Sequence, residues 1–329
     1  MNKILNLALI VLALSYQSAS ATSLLETFGS GANAFTMDFV TIGNPGNAAD
    51  TTGWPNPVGT GWRIPVGSVG YAYNMGMYEV SRTQFDKANS AGSLGITLQD
   101  MSPFGGNGVL KPATGVSWYE AAKFVNWLNT STGNTAAYKF DGSGAFRLWA
   151  EGDAGYNANN LFRNSLAKYV IASSNEWYKA AYGNLDGTWN NYPTGSDSVP
   201  TAVTSGTAPN TAVYGNAGQY GPADINDAGG LSPYGTMGQG GNALEWTETA
   251  YDGSNNITGE NRDQLGGSWY YGAGDSIWLD ASGKDFDDPA NDHFTEGFRV
   301  AFVGVPEPSA LSLLAFGLSG LAMIRRRKK

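Results

Sequence analysis

The chain has 329 residues, a formal net charge of −9 and no cysteine. This acidity disfavours binding to nucleic acid, which depends on the neutralisation of phosphates by Lys and Arg, and without cysteine the core must stabilise the fold without disulfides. Only 14% of the residues are charged, below the usual ~25%, and the 45 Gly residues indicate a loop-rich extracellular fold, while ten Trp and seventeen Tyr supply a core for one large domain.

The N-terminus has the pattern of a secretory signal. Lys3 precedes a mostly apolar run at residues 4–14, and small residues at 19–21 form a cleavage pattern before Thr22. We therefore expect residues 1–21 to be a signal peptide and residues 22–305 to form the domain. Setting aside the two ends removes six cations and one acid, which leaves 13 cations against 27 acids and a net charge of −14.

Three capping boxes predict helix starts. In each, a Ser is followed three positions later by Glu or Gln, so that the two side chains satisfy free N–H groups at the helix N-terminus. The pairs are Ser81 with Gln84, Ser117 with Glu120, and Ser173 with Glu176. After the second box, Ala121, Phe124, Val125 and Leu128 recur at helical spacing. The third helix should end at Gly183, a residue type that adopts the left-handed conformation at low cost.

The other segments predict short strands and long loops. Residues 37–42 alternate loosely between apolar and polar, and residues 299–303 have the pattern of a terminal strand. Residues 183–238 show neither helical nor strand periodicity. A disordered linker is the alternative there, but Trp189 and Tyr214 favour ordered loops because aromatics are depleted in disorder. The predicted class is α+β with little regular secondary structure.

The C-terminus combines Pro306-Glu307-Pro308, an apolar run at residues 309–324 and five cations at 325–329. This order resembles the PEP-CTERM sorting signal of Gram-negative bacteria that produce exopolysaccharide. The length of the apolar run is near the lower limit for a segment that spans a bilayer of roughly 30 Å. The five cations should stay on the cytoplasmic side of the membrane. A plain C-terminal membrane anchor is the alternative to a sorting signal. The resemblance implies an exosortase partner, membrane contact only through the tail at 306–329, a tethered inner-membrane intermediate, and then the outer surface or extracellular matrix.

The middle of the chain resembles the formylglycine-generating enzyme family, also called sulfatase-modifying factor domains, which share a C-type-lectin-like fold. Six motifs occur in the family's order: MGMYEVS at 75–81, VSW at 116–118, EW at 176–177, GNALEW at 241–246, GGSW at 266–269 and GFR at 297–299. Most of their aromatics should be core residues, namely Trp118, Trp127, Trp177 and Trp246. Arg299 should be a buried ion-pair partner or backbone donor.

The chain departs from the family at its catalytic positions. The resemblance implies two cysteines after the GGSW motif that hold copper and engage the substrate, and these positions are Tyr271 and Ser276. The oxygens of these two residues do not suit Cu(I), which prefers thiolate ligands. A facial iron site needs two histidines, and His293 is the only histidine of the chain. We therefore expect neither copper nor iron and no oxidase activity.

Other catalytic sites have little support in the sequence. His293 lies in an Asp-rich segment that should be exposed, which disfavours a Ser-His-Asp triad. Asp287 and Asp288 are neighbours in sequence, and such acids should point apart and face solvent, which disfavours paired acid-base catalysis. An enzyme of unrecognised chemistry in the same cleft stays an alternative.

Calcium is the one cofactor that the resemblance leaves open. It implies ligands from the carbonyls of Gly241 and Ala243 and the carboxylate of Glu245, with a second site near Asn210 and Thr211. A further side-chain ligand is missing because position 238 is Gly. Oxygen ligands of this kind suit calcium.

The sequence favours a non-catalytic binding protein. Tyr270, Tyr271, Asp275 and Ser276 have the composition of a recognition surface, since tyrosine offers large contact area at low entropy cost; core packing is the alternative for Trp269 and Trp278. The ligand would be a polysaccharide of the biofilm layer or a surface protein. A structural matrix component without a specific ligand is a further alternative.

Overall fold

The computed structural model describes residues 23–55, 63–215, 220–272 and 274–303. Its helices are α1 (Arg82–Gly92), α2 (Trp118–Ser131) and α3 (Ser174–Tyr182). Its strands are β1 (Ser23–Phe28), β2 (Phe35–Ile42), β3 (Asp50–Pro55), β4 (Arg63–Val66), β5 (Tyr73–Gly76), β6 (Lys139–Phe140), β7 (Phe146–Arg147), β8 (Tyr169–Ile171), β9 (Thr201–Val203), β10 (Thr211–Val213), β11 (Leu244–Ala250), β12 (Arg262–Leu265), β13 (Asp285–Asp287), β14 (Glu296–Phe298) and β15 (Val300–Phe302). The α+β, loop-rich prediction is confirmed.

Both predicted targeting segments lie outside the described residues: the signal peptide at 1–21 and the sorting tail at 306–329 with its apolar run at 309–324. Within the described ranges, no helix combines the length and apolar character needed to cross a membrane.

All three helices begin where the capping boxes predict. Ser81, Ser117 and Ser173 are the N-cap residues, and each accepts a hydrogen bond from the backbone N–H three residues on. The end of α3 differs from the prediction. Gly183 follows the helix with φ −75°, so it is extended rather than left-handed. Its missing side chain serves close packing instead, because a Cβ there would lie 2.6 Å from the Lys179 carbonyl oxygen.

A five-stranded antiparallel sheet forms one side of the core, with the order β1-β2-β5-β15-β8. The predicted strand at 37–42 lies within β2, and the predicted terminal strand is β15. Helices α1 and α2 contribute stacked aromatic rings to the core, with the centroids of Phe85 and Phe124 5.3 Å apart. Trp118, Trp177 and Trp246 are fully buried as expected, and Trp127 is partly buried.

The second large sheet has the order β13-β12-β11-β14, with β11 and β14 parallel. Strands β14 and β15 are separated by a single residue, Arg299, yet belong to different sheets. The buried Arg299 side chain therefore lies at the junction of the two sheets. Strand β12 of this sheet leads into the loop that begins at Gly266 and contains the predicted recognition residues.

The described part of the span 183–238 is packed against the rest of the domain, in agreement with the ordered-loop prediction. The described part of this span contains the parallel strand pair of β9 and β10. Ala212, Val213, Tyr214 and Tyr234 are buried.

Candidate functional site

The loop after β12 carries all four predicted recognition residues. It begins with Gly266 and Gly267, whose φ values of +96° and +69° only glycine adopts easily. The Tyr271 carbonyl accepts a hydrogen bond from Gly215 N at 2.8 Å. Asp275 Oδ2 accepts one from Gly272 N at 2.8 Å, which turns this carboxylate back onto its own loop.

The two neighbouring tyrosines have different surroundings. Tyr270 is 45% exposed and rests on Trp269 and Phe294, with ring centroids 5.5 and 5.2 Å away. Tyr271 is partly buried and stacks on Trp278 at 5.7 Å and 15°. Trp269 is fully buried and Trp278 partly buried, so core packing accounts for Trp269. Ser276, in the short 3-10 helix Ser276–Trp278, interacts with the Tyr192 side chain.

Tyr270 belongs to an aromatic patch that we define as Phe104, Trp269, Tyr270 and Phe294. Phe104 and Phe294 stack with centroids 4.7 Å apart, and Phe104 contacts Trp269 at 5.5 Å. Phe104 comes from a short 3-10 helix more than 160 positions away in the sequence and Phe294 from the loop between β13 and β14. The patch is therefore assembled from three separate segments, with Tyr270 as its exposed face.

Asp287 at the end of β13, His293 in the following loop and Glu296 at the start of β14 form an acid–histidine cluster. His293 Nε2 lies 3.1 Å from Asp287 Oδ2, and the ligand atoms of all three side chains lie within 4.8 Å of one another. The His293 side chain is 60% exposed, as the sequence predicts. Asp288 faces solvent as expected, but Asp287 turns inward to His293, which corrects the expectation that both acids face solvent.

Burial dominates the electrostatics of this region. It raises the pKa of Tyr271 to about 12, reinforced by Asp285, Asp275 and Glu296. The Tyr271 phenol is therefore protonated at neutral pH and is a poor general base. Burial also raises the pKa of Glu296 to about 8, with a further contribution from Asp287.

Glu245, the predicted calcium ligand, forms a buried ion pair with Arg299. Arg299 Nε donates to Glu245 Oε2 at 2.7 Å and a terminal guanidinium nitrogen to Oε1 at 2.6 Å. Trp177 Nε1 also donates to Oε2 at 2.7 Å. The guanidinium further donates to the carbonyls of Gly76 and Met237. The predicted structural role of Arg299 is thus confirmed.

These contacts fit a calcium ion poorly at Glu245, because the ion would lie beside a guanidinium that already binds both carboxylate oxygens. Glu79 occupies the space beside Gly238, where a Cβ would lie 3.1 Å from its Oε2, and it accepts hydrogen bonds from Asn242 Nδ2 and Ala243 N. Gly241 and Ala243 flank Asn242 in the turn before β11. This turn lies next to the buried pair of Glu245 and Arg299. Calcium binding stays a prediction.

The second predicted calcium position lies at the start of β10. Asn210 Oδ1 accepts a hydrogen bond from Thr194 Oγ1 at 2.8 Å, and Thr211 Oγ1 donates to the Ala208 carbonyl at 2.7 Å. Both side chains therefore already stabilise their own loop.

Comparison with family models gives two matches. Residues 65–303 match the Sulfatase-modifying factor enzyme 1-like domain, and residues 304–328 match the PEP-CTERM protein-sorting motif. A search of curated proteins gives no match.

Three solved structures share the fold at low sequence identity. Treponema denticola variable protein 1 aligns with a TM-score of 0.56 and 19% identity over 85% of this chain and 99% of its own. CarF aligns with a TM-score of 0.54 and 19% identity over 81% and 98%. PvdO from Pseudomonas aeruginosa aligns with a TM-score of 0.52 and 17% identity over 84% and 97%. At these identities the likeness shows the fold alone.

Proposed function

Because this chain belongs to the family of Sulfatase-modifying factor enzyme 1-like domains, we propose that it uses the family scaffold for binding rather than for oxidation. The PEP-CTERM motif implies export, recognition by an exosortase and sorting to the cell envelope of a Gram-negative bacterium. The proposed function is therefore that of a non-catalytic binding module that an exosortase sorts to the cell envelope. It would act in the extracellular polysaccharide layer or at the outer surface.

The observation that carries the proposal is what stands at the two family cysteine positions. Tyr271 is stacked on Trp278 with its phenol protonated at neutral pH, and Ser276 interacts with Tyr192. Hard oxygen donors in these positions do not suit Cu(I). Tyr271 is used for packing and Ser276 for a hydrogen bond with Tyr192, which supports a loss of the oxidase chemistry.

The proposed ligand surface is the exposed face of Tyr270 on the aromatic patch. Aromatic rings stack on the apolar faces of sugars and peptides, and a ring held by its neighbours loses little entropy on binding. Tyr270 is held against Trp269 and Phe294. The net charge of −14 for residues 22–305 favours a neutral or basic ligand over a strongly anionic polymer.

Co-sedimentation of the purified chain with the exopolysaccharide of the producing cell tests this role. Wild type should bind saturably, and Tyr270→Ala alone should weaken binding because it removes the exposed ring. The Tyr270→Ala, Tyr271→Ala double variant should abolish it. Tyr156→Ala is the matched control, because this partly buried tyrosine lies in the loop between β7 and β8. Equal binding by all variants would contradict the proposed surface.

An enzyme of unrecognised chemistry is the second candidate, and the acid–histidine cluster is the observation that favours it, since a carboxylate beside an imidazole is a common catalytic pairing. This candidate is favoured if the wild-type chain converts the exopolysaccharide to shorter products and His293→Ala does not. A structural matrix role would instead give no saturation in the sedimentation assay.

A further inference from the structure

Three side chains able to ligate a metal converge where the end of β13, the following loop and the start of β14 meet. These are the members of the acid–histidine cluster, and their ligand atoms lie within 4.8 Å of one another. Hydrogen bonds hold both carboxylates in place. Asp288 N and Asn291 Nδ2 donate to Asp287 Oδ1 at 2.7 and 2.8 Å, and His293 N donates to Glu296 Oε2 at 3.2 Å. Asp287 Oδ2 is left facing His293.

The cluster differs from most other buried acids in its charge compensation. Elsewhere in the described ranges, four buried acids pair with basic side chains: Glu176 and Glu248 with Arg163, Glu245 with Arg299, and Asp263 with Lys284. Glu79 and Asp50 instead accept hydrogen bonds from uncharged donors. In the same ranges, neither Asp287 nor Glu296 forms a salt bridge with Lys or Arg, although Glu296 is 3% exposed. Once ionised, a buried carboxylate of this kind requires a partner for its charge.

A buried amide provides an independent indication of a missing ligand. Gln264 on β12 is 1% exposed, and its side chain interacts with the carboxyl of Glu296. Its Nε2 nevertheless makes no hydrogen bond of normal geometry. The amide therefore directs a buried polar group without a normal partner at the Glu296 carboxyl, where it can hold that carboxyl in orientation for a ligand.

We propose that Asp287, His293 and Glu296, assisted by Gln264, bind a divalent transition metal such as Zn²⁺. One imidazole and two carboxylates form a ligand set that suits zinc, with metal–ligand distances of about 2.0–2.2 Å. The exposed His293 side chain leaves the cluster accessible to an ion from solvent. The metal site is independent of the proposed binding role, although Phe294 of the aromatic patch follows His293 directly.

The single histidine of the chain gives this proposal a direct test. Because His293 is the only imidazole, an untagged, ¹⁵N-labelled full-length chain should give one set of imidazole signals by NMR. After chelator treatment and dialysis, titration with ZnCl₂ should shift the Nε2 signal and saturate at one zinc per chain. Calorimetry should give the same stoichiometry. CaCl₂ should leave the imidazole signal unchanged, because calcium prefers oxygen ligands.

Two variants complete the test. Asp287→Asn keeps the acceptor for Asp288 N and Asn291 Nδ2 but should weaken zinc binding at least about tenfold. Asp288→Asn, whose side chain faces solvent, should bind zinc like wild type. An unchanged His293 signal, or equal zinc affinity in Asp287→Asn and wild type, would overturn the proposal. A thermal unfolding scan of each variant shows that it is folded before zinc is added, and neither readout depends on polysaccharide binding.

Discussion

Arg299→Met removes a cation from the junction of the two large sheets. In the wild type, the guanidinium binds both oxygens of Glu245 and the carbonyls of Gly76 and Met237. Met has similar apolar length, so little cavity forms. Glu245 would then remain buried with only the Trp177 indole as a donor. Removal of one partner from a buried ion pair typically costs about 3–5 kcal/mol, because it leaves an uncompensated charge.

Urea unfolding followed by tryptophan fluorescence measures this loss. Glu245→Gln should lose a similar amount, since its amide oxygen can still accept from Trp177 while Arg299 is left unpaired. The double variant should lose less than the sum, with a coupling energy of about 1–3 kcal/mol. Arg147→Met is the control, because Arg147 pairs with Asp141 at an exposed position, and its unfolding midpoint should not change. Additive losses in the double variant would refute the assignment of a coupled buried pair.

Three further predictions concern stability. Ser117→Ala removes the N-cap of α2 and should cost about 1 kcal/mol in the free energy of unfolding, and an unchanged urea midpoint would contradict it. Burial and Glu245 raise the pKa of Glu79 to about 8 from 4.5, so its contribution is present below pH 4.5 and is lost as the pH rises to 8. Between pH 4.5 and 8, the free energy of unfolding should therefore fall less in Glu79→Gln than in wild type. Parallel pH profiles of the two proteins would refute the raised pKa of Glu79. The family resemblance predicts that excess calcium raises Tm above its value in chelator, whereas the pairing of the Glu245 carboxylate with Arg299 argues against that site, and an equal Tm with calcium and with chelator would contradict the calcium prediction.

The helices could be predicted from sequence because their determinants are local. A capping box spans four residues, and each of the three boxes begins a helix at the expected Ser. The conformation of Gly183 could not be predicted in the same way. A Cβ there would lie 2.6 Å from the Lys179 carbonyl oxygen and 3.3 Å from the Tyr234 ring, and this ring comes from a distant segment.

The acid–histidine cluster could not be predicted because its geometry depends on how a loop closes. Adjacent acids and one histidine in an Asp-rich segment indicate solvent exposure. The loop instead returns from β13 to β14 so that Asp287 meets His293 and Glu296. The spacing of three between His293 and Glu296, together with Glu296 at the start of a buried strand, was the available signal.

The aromatic patch could be predicted only in part. The run after Gly267 indicated Tyr270 and Tyr271 as recognition residues. Phe104 and Phe294 were not identified, because they reach the patch from segments that the sequence pattern does not connect to it.

The measurement that bears most directly on the proposed role is a binding isotherm of the purified chain on the producing cell's own exopolysaccharide. The proposal predicts a saturable isotherm for wild type and for Tyr156→Ala, and its loss in the Tyr270→Ala, Tyr271→Ala double variant. A wild-type chain that shows no saturable binding would contradict the role of a polysaccharide-binding module.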